Sequence, residues 1–304
     1  MSAVGNMNPT RVSANGNRRW VQRHRWLIAR RASQLAILAI FLAGPLAGVW
    51  VVRGNLSSSE TLGVLPLTDP FLLLQVLASG HWPEMTAVIG VLIVLGFYLL
   101  VGGRSFCAWV CPVNMVTDAA HVARERLGLP KGWQPDRRTR LWVLGMTLAV
   151  SALTGTLAWE LVNPVSMLHR GLIFGFGLAW VFVAAVFIFD LLVSRRGWCG
   201  HLCPMGAAYG LIGKVSLARL NAVRREVCDD CMDCFNVCPE PQVISPALRG
   251  AAGEPSVILA GDCTNCGRCA DVCDLNVFEL STRFAVPAPA RKRNPVSTSR
   301  KEAA

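Results

Sequence analysis

Long apolar runs, separated by short polar and basic segments, fill the chain as far as Val193. Four of them, about Gln34–Val52, Met85–Val101, Leu141–Trp159 and Gly171–Val193, approach the roughly 20 residues a helix needs to cross a bilayer. A fifth, Phe71–Ala78, follows Pro70 and is too short to span; it reads as an interfacial or re-entrant piece of the first loop. Beyond Val193 the pattern changes to short apolar pieces among Cys, Gly and Pro. The expected organisation is a basic segment over 1–33, a four-helix membrane domain over 34–193, a connector over 194–220, a small α+β domain over 221–284 and a disordered tail over 285–304.

Basic residues orient the spans. Lys and Arg number seven before the first span, one in the first loop, seven in the second, one in the third and fourteen after the fourth. This positive-inside alternation predicts that both termini and the second loop are cytoplasmic. Counting Phe71–Ala78 as a span would turn the basic second loop outward, which rejects it. Trp26, Trp142 and Trp198 then fall near inner ends and Trp50, Trp82 and Trp159 near outer ends, as interfacial belts do. Arg30-Arg31 precedes an apolar run as in a twin-arginine export signal. No A-x-A-like cleavage site follows, so a retained first span is expected.

Composition narrows the class. With 53% hydrophobic and 16% charged residues, the chain is too apolar for a disordered protein or an ordinary soluble domain of 304 residues. The net charge of +11 is unevenly shared: residues 221–282 hold ten acidic and four basic side chains, a net of −6, leaving +17 elsewhere. An acidic domain of this kind is steered toward basic surfaces, either this chain's own second loop or a basic partner. Arg291-Lys292-Arg293 lies in no nucleic-acid motif, and no nucleic-acid partner is expected.

All twelve cysteines follow position 106 and fall on the predicted cytoplasmic side, where disulfides are rare. Cys228, Cys231, Cys234 and Cys238 have the spacing C-x2-C-x2-C-x3-C, followed by Pro239, and Cys263, Cys266, Cys269 and Cys273 repeat it 35 residues later. In two-cluster bacterial ferredoxins the fourth cysteine of each run serves the other cluster. That rule assigns one 4Fe–4S cluster to Cys228, Cys231, Cys234 and Cys273, and a second to Cys263, Cys266, Cys269 and Cys238. Structural zinc sites instead space their cysteines as separated C-x2-C pairs. One departure is Asp274, which stands where the first run has Pro239.

A second repeat lies at the membrane edge. Cys107-Ala-Trp-Val-Cys111-Pro112 follows the second span and Cys199-Gly-His-Leu-Cys203-Pro204 follows the fourth, 92 residues apart. Each proline suits the first position of a new helix. The four thiols are candidates for a third metal centre or a redox relay, or they are small residues packing a turn; spacing alone leaves both readings open.

These motifs, with Gly44-Pro-Leu-Ala-Gly-Val-Trp50, Pro66-Leu-Thr-Asp-Pro70, Ser151-Ala-Leu-Thr-Gly-Thr156, Gly197-Trp-Cys-Gly-His201 and Cys231-Met-Asp-Cys234, make the chain resemble the NapH family from about Arg19 to Arg283. That family comprises ferredoxin-type membrane components associated with periplasmic nitrate reductase. Its cysteine motifs are shared with nitrous-oxide-reductase accessory proteins and copper-handling FixG-like proteins. The resemblance implies a quinol dehydrogenase component of the bacterial inner membrane. Quinol would supply two electrons and two protons, two clusters would take the electrons singly, and a NapG-like ferredoxin-type partner would pass them toward the periplasmic reductase. Nitrate itself is not expected to bind. The alternatives are a FixG-like redox maturation or regulatory factor and a membrane anchor for a ferredoxin partner. A quinol site needs a proton acceptor near a span end. Glu160, Asn163, His169, Asp69 and His81 are the outer candidates, His121, Asp190 and His201 the inner ones, and Glu160 leads.

Overall fold

The computed structural model describes residues 20–289 apart from 131, 134, 176 and 252. Most of the basic N-terminal segment and of the expected disordered tail lie outside the described residues. In chain order the elements are α1 (Trp20–Arg23), α2 (Arg25–Ala47), β1 (Val52–Gly54), β2 (Ser58–Thr61), β3 (Leu65–Thr68), α3 (Pro70–Ala78), α4 (Met85–Val101), α5 (Ser105–Trp109) and α6 (Val113–Arg126). After these come α7 (Thr139–Thr154), α8 (Pro164–Phe174), α9 (Leu178–Ile188), α10 (Pro204–Gly213) and β4 (Ala218–Asn221). The last are α11 (Asp233–Val237), α12 (Ile244–Arg249), α13 (Arg268–Val272) and β5 (Glu279–Thr282). They form two compact units. One comprises Ala29–Arg219 with Leu259–Cys266; the other comprises Met1–Ile28, Leu220–Ile258 and Gly267–Ala304. One passage between the units falls between Arg219 and Leu220. The grouping of Leu259–Cys266 with the helical unit was not expected.

In the helical unit, α2 is the one described helix long and apolar enough to cross a membrane, and α4, α7 and Ala179–Val193 are shorter apolar helices. Two expected span limits are corrected. The first helix runs over Arg25–Ala47 rather than 34–52, because Gly48 takes a positive φ and Val52 already pairs in a strand. The expected fourth span, 171–193, is not one helix. Gly175, at φ 85°, ends α8, α9 starts again after Gly177, and Phe189–Val193 finish as a π turn.

The first loop holds a three-stranded antiparallel meander, β1-β2-β3. Leu62 and Gly63 both have positive φ at the β2–β3 turn, as tight hairpins require. The meander leads into α3, which is the re-entrant candidate, and the third loop leads into α8 in the same way. Asp69 and Asn163 are the N-caps of these helices, accepting from the N–H groups of Phe71 and Val165, with Pro70 and Pro164 at the first turn. The shared pattern Leu-x-Asp/Asn-Pro at Leu67–Pro70 and Leu161–Pro164 extends the internal duplication beyond the cysteines.

The core of this unit surrounds the C-x3-C-P segments: Tyr98, Phe106, Cys111, Val113, Met205 and Tyr209 are buried together with Phe71 and Trp159 from the two loops. Outward, Leu35 and Ile40 of α2, Leu92 and Phe97 of α4, Trp142, Met146 and Leu153 of α7, and Val181 of α9 are exposed. Apolar side chains displayed on every long helix are what a lipid-facing surface requires and what a water-facing one avoids.

The second unit is small. β4 and β5 pair, and Leu220, Ile244, Leu248, Val257, Ile258, Val277 and Phe278 are buried. Its backbone repeats: α11 and α13 are single turns of five residues, each preceded by a left-handed residue, Met232 at φ 66° and Gly267 at φ 71°. Arg225, fully buried, donates to the carbonyls of Ala247, Ala251, Glu254, Ala288 and Pro289 and so ties three separate segments of this unit together.

Candidate functional site

Cys228, Cys231, Cys234 and Cys273 line one cavity of about 370 Å³, walled further by Phe235, Leu248, Val277 and Phe278. Packing of α11 on α13 brings the first run against the end of the second, so that Cys273 joins the three leading cysteines of the first run. Burial pushes the thiols of Cys231 and Cys234 up to about 11 and about 12. The N–H of Asp233 donates to the Cys231 sulfur and that of Phe235 to the Cys234 sulfur. Soft thiols around an apolar cavity, with backbone donors to sulfur, fit a 4Fe–4S cluster, whose potential depends on such hydrogen bonds and on burial. In the other run, Cys263 and Cys266 are buried in the helical unit, while Cys269 is buried and Cys238 half-buried in the small one. Burial raises Cys263 to about 11, and the N–H of Asn265 donates to its sulfur.

The C-x3-C-P thiols also come together. Cys107, Cys111, Cys199 and Cys203 line a second cavity, of about 400 Å³, with Phe106, Trp159, Pro164, Val165 and Trp198. The first pair is carried by α5 and the turn after it, the second by a π turn over Trp198–Leu202. Both turns have their carbonyls satisfied by buried polar side chains. Gln34 of α2 donates to the carbonyls of Ala108 and Cys111 at 3.1 Å each, and Ser33 to that of Trp109 at 2.9 Å. Arg104 donates to the carbonyl of Cys199 at 3.0 Å and Arg140 to that of Gly200 at 3.4 Å. Among the described residues, no three His, Cys, Asp or Glu side chains are gathered to hold a single metal ion; both sets of thiols surround a cavity instead.

The quinol candidates divide. Glu160 and Asn163 meet in one buried network: Glu160 accepts from Ser57 at 3.1 Å, from the Asn163 amide at 3.0 Å and from Ser166 at 2.9 Å. Asp69 lies within electrostatic reach of Glu160 and accepts from the Tyr209 hydroxyl at 3.0 Å. Its burial pushes its carboxyl up to about 7; the Phe71 N–H and Tyr209 hydroxyl oppose that rise and Glu160 adds to it. His169 packs edge-on to Phe41, and burial lowers its basicity. His81 is exposed beside Ser79. Of the inner candidates, Asp190 accepts from the Trp198 N–H at 2.9 Å, His121 lies 3.4 Å from Glu125, and His201 is buried. Sequence reasoning missed Tyr209, Gln34 and Arg104. A Gln inside an apolar span and an Arg three residues before Cys107 were the available signals.

Comparisons with known proteins add the following. A family profile described as "4Fe-4S binding domain" matches residues 84–130 and 176–222, two stretches offset by 92 residues that each contain one C-x3-C-P pair. The chain is 56% identical to the methylamine utilization ferredoxin-type protein MauN of Paracoccus denitrificans, covering 90% of this chain and 96% of that protein. It is 55% identical to MauN of Methylorubrum extorquens over 86% of this chain and 90% of that one. It is 47% identical to the ferredoxin-type protein NapH of Escherichia coli over 88% of this chain and 92% of that one. No solved structure matches.

Proposed function

This chain belongs to the family of NapH and MauN ferredoxin-type proteins, and on that premise we propose that it is a membrane-embedded quinol-oxidising electron carrier. The observation that carries the reading is the cavity shared by Cys228, Cys231, Cys234 and Cys273, which gathers three thiols of one run with the last of the other. Those four would hold one 4Fe–4S cluster; by the same spacing rule Cys263, Cys266, Cys269 and Cys238 would hold the second. When bound, such clusters supply one-electron oxidation and reduction. The residues of this chain set their hydrogen bonds and exclude water.

Four spans with both termini cytoplasmic, in a bacterial inner membrane, are supported by the charge alternation and by the apolar side chains exposed along α2, α4, α7 and α9. Quinol would give up two protons as its electrons leave one at a time. Glu160, held by Ser57, Asn163 and Ser166, is the proposed proton acceptor. Electrons would go to a NapG-like ferredoxin-type partner and on to a periplasmic reductase, nitrate reductase on the NapH precedent. A second downstream system, methylamine utilization, is favoured by the higher identity to the two MauN proteins.

Cluster reduction followed by EPR after adding a quinol analogue to the anaerobically purified protein tests the reading. Reduction within the mixing time is expected, slowed at least tenfold in Glu160→Gln. Intact clusters that stay oxidised would sink quinol oxidation; normal reduction in the variant would remove Glu160 alone. Growth of a deletion strain on methylamine and by nitrate respiration separates the two downstream systems.

A further inference from the structure

Arg104 follows the second expected span, where an arginine is ordinarily a solvated positive-inside charge, yet it is only 2% exposed. Gly206 and Gly210, one turn apart on α10, line its side chain. A Cβ on Gly206 would lie 3.6 Å from Nη2, and one on Gly210 3.6 Å from Cδ. Two hydrogen bonds fix where the charge sits. Nη2 donates to the Cys199 carbonyl at 3.0 Å and Nη1 to the Asp262 carbonyl at 3.1 Å.

Asp262 directly precedes Cys263, so one planar group joins a C-x3-C turn to the start of the second tail run. All of these residues belong to the helical unit. Cys203 and Cys263 both lie within electrostatic reach of Arg104. The family profile gives 4Fe–4S binding to both stretches that carry a C-x3-C-P pair, and the tail spacing gives Cys263 to a second tail cluster. We propose that the buried charge of Arg104 stabilises the reduced form of both centres, the one on the C-x3-C-P thiols and the tail cluster that uses Cys263. It is a positioning residue for electrons, shared by the two.

The physical basis is simple. One-electron reduction adds a negative charge to a cluster already held by thiolates. A cation fixed nearby lowers the energy of that state, most of all where little solvent intervenes to screen it. An electron passing between the two centres stays close to the same cation and keeps its stabilisation on the way. Arginine suits the position, since its charge persists at any working pH and its rigid fork serves two acceptors at once. A purely structural cross-link would need the two bonds and not the charge.

This inference rests on the cluster readings, and a redox titration of the full-length protein followed by EPR tells their failures apart. Arg104→Gln should lower both midpoint potentials. The expected size is at least a tenfold fall in the reduced-to-oxidised ratio at a fixed ambient potential, about 59 mV for a one-electron couple. Arg104→Lys keeps the charge, but its single ammonium reaches one of the two carbonyls. Its two potentials should therefore move apart, one staying within about threefold of the wild-type ratio and the other falling. If Arg104→Gln fails to accumulate, Arg104→Lys decides alone: both potentials unmoved, or both fallen tenfold, would overturn the proposal. Intact centres with unchanged potentials in Arg104→Gln would overturn it too and leave the clusters standing. A wild-type protein with about eight irons per chain and no centre beyond the two of the tail would instead remove the C-x3-C-P centre, and the shared role with it.

Discussion

Asp69 joins the first loop to the helix that follows Cys203. Its carboxylate caps α3 and accepts from Tyr209, whose ring stacks on Phe106 at 4.9 Å. Burial raises its pKa to about 7 from the ordinary 3.8. The protonated form is therefore the one the fold favours. Stability from this group is complete below about pH 4 and is lost as pH climbs through about 7, on the order of 4 kcal/mol in all. Asn caps helices as well as Asp does. Asp69→Asn should consequently keep α3 and flatten the dependence of the apparent Tm on pH between about 4 and about 7, measured in detergent. An unchanged slope would show that Asp69 is not the titrating group. Gln34 makes a different kind of claim. Truncation to Ala removes the side-chain donor to the carbonyls of Ala108 and Cys111; Cys111 keeps the Asn114 N–H at 3.3 Å, so the cost is that of about one buried orphan, roughly 1–3 kcal/mol. The expected result is a Tm several degrees lower with normal tail EPR signals.

Among the elements, the paired single turns of the small unit carry the clearest asymmetry. Met232 and Gly267 occupy equivalent left-handed positions, yet a Cβ on Gly267 would lie 2.3 Å from the Trp26 ring. Met232→Gly should be tolerated, relieving about 1 kcal/mol of backbone strain, whereas Gly267→Ala should cost several times that; iron content per chain and thermal melts compare them. The paired runs themselves were legible in the sequence because cluster ligands need fixed spacing, and so was the 92-residue duplication. Other elements were not. The meander over Val52–Thr68 has strands of only three and four residues and gives no sustained alternation to read. The break at Gly175–Gly177 hides inside an unbroken apolar run, since hydropathy reports polarity and not backbone geometry. The inward turn of α3 and α8 was half visible. Phe71–Ala78 could be read from its length as a short piece separate from the spans, and it is a helix over Pro70–Ala78, but α8 was absorbed into an expected span. That its Asn163-Pro164 start mirrors Asp69-Pro70 becomes evident once both caps are seen. The meeting of Glu160 with Ser57 and Ser166 depends on loops folding toward each other, which no local pattern encodes.

At the scale of the whole molecule, the proposed orientation rests on the charge alternation. A fluorescent protein fused after Ala304 should fluoresce and an alkaline phosphatase fused there should be inactive. Fusions within the first loop should behave oppositely. Active phosphatase at the C-terminus would reverse the orientation and put every cysteine on the oxidising side. Segments far apart in the sequence also depend on each other. Asp271 accepts from the N–H groups of Trp26 and Leu27, capping the start of the first long helix. Asp262 pairs with Arg140, and its carbonyl takes a bond from Arg104. A ribosome must therefore translate as far as Asp271 before the first long helix receives its cap, and as far as Asp262 before these arginines find their acceptors. Until then the nascent helices sit in the bilayer half-finished, and a cell that halts synthesis early is left with a fragment that its membrane proteases should find easy to remove.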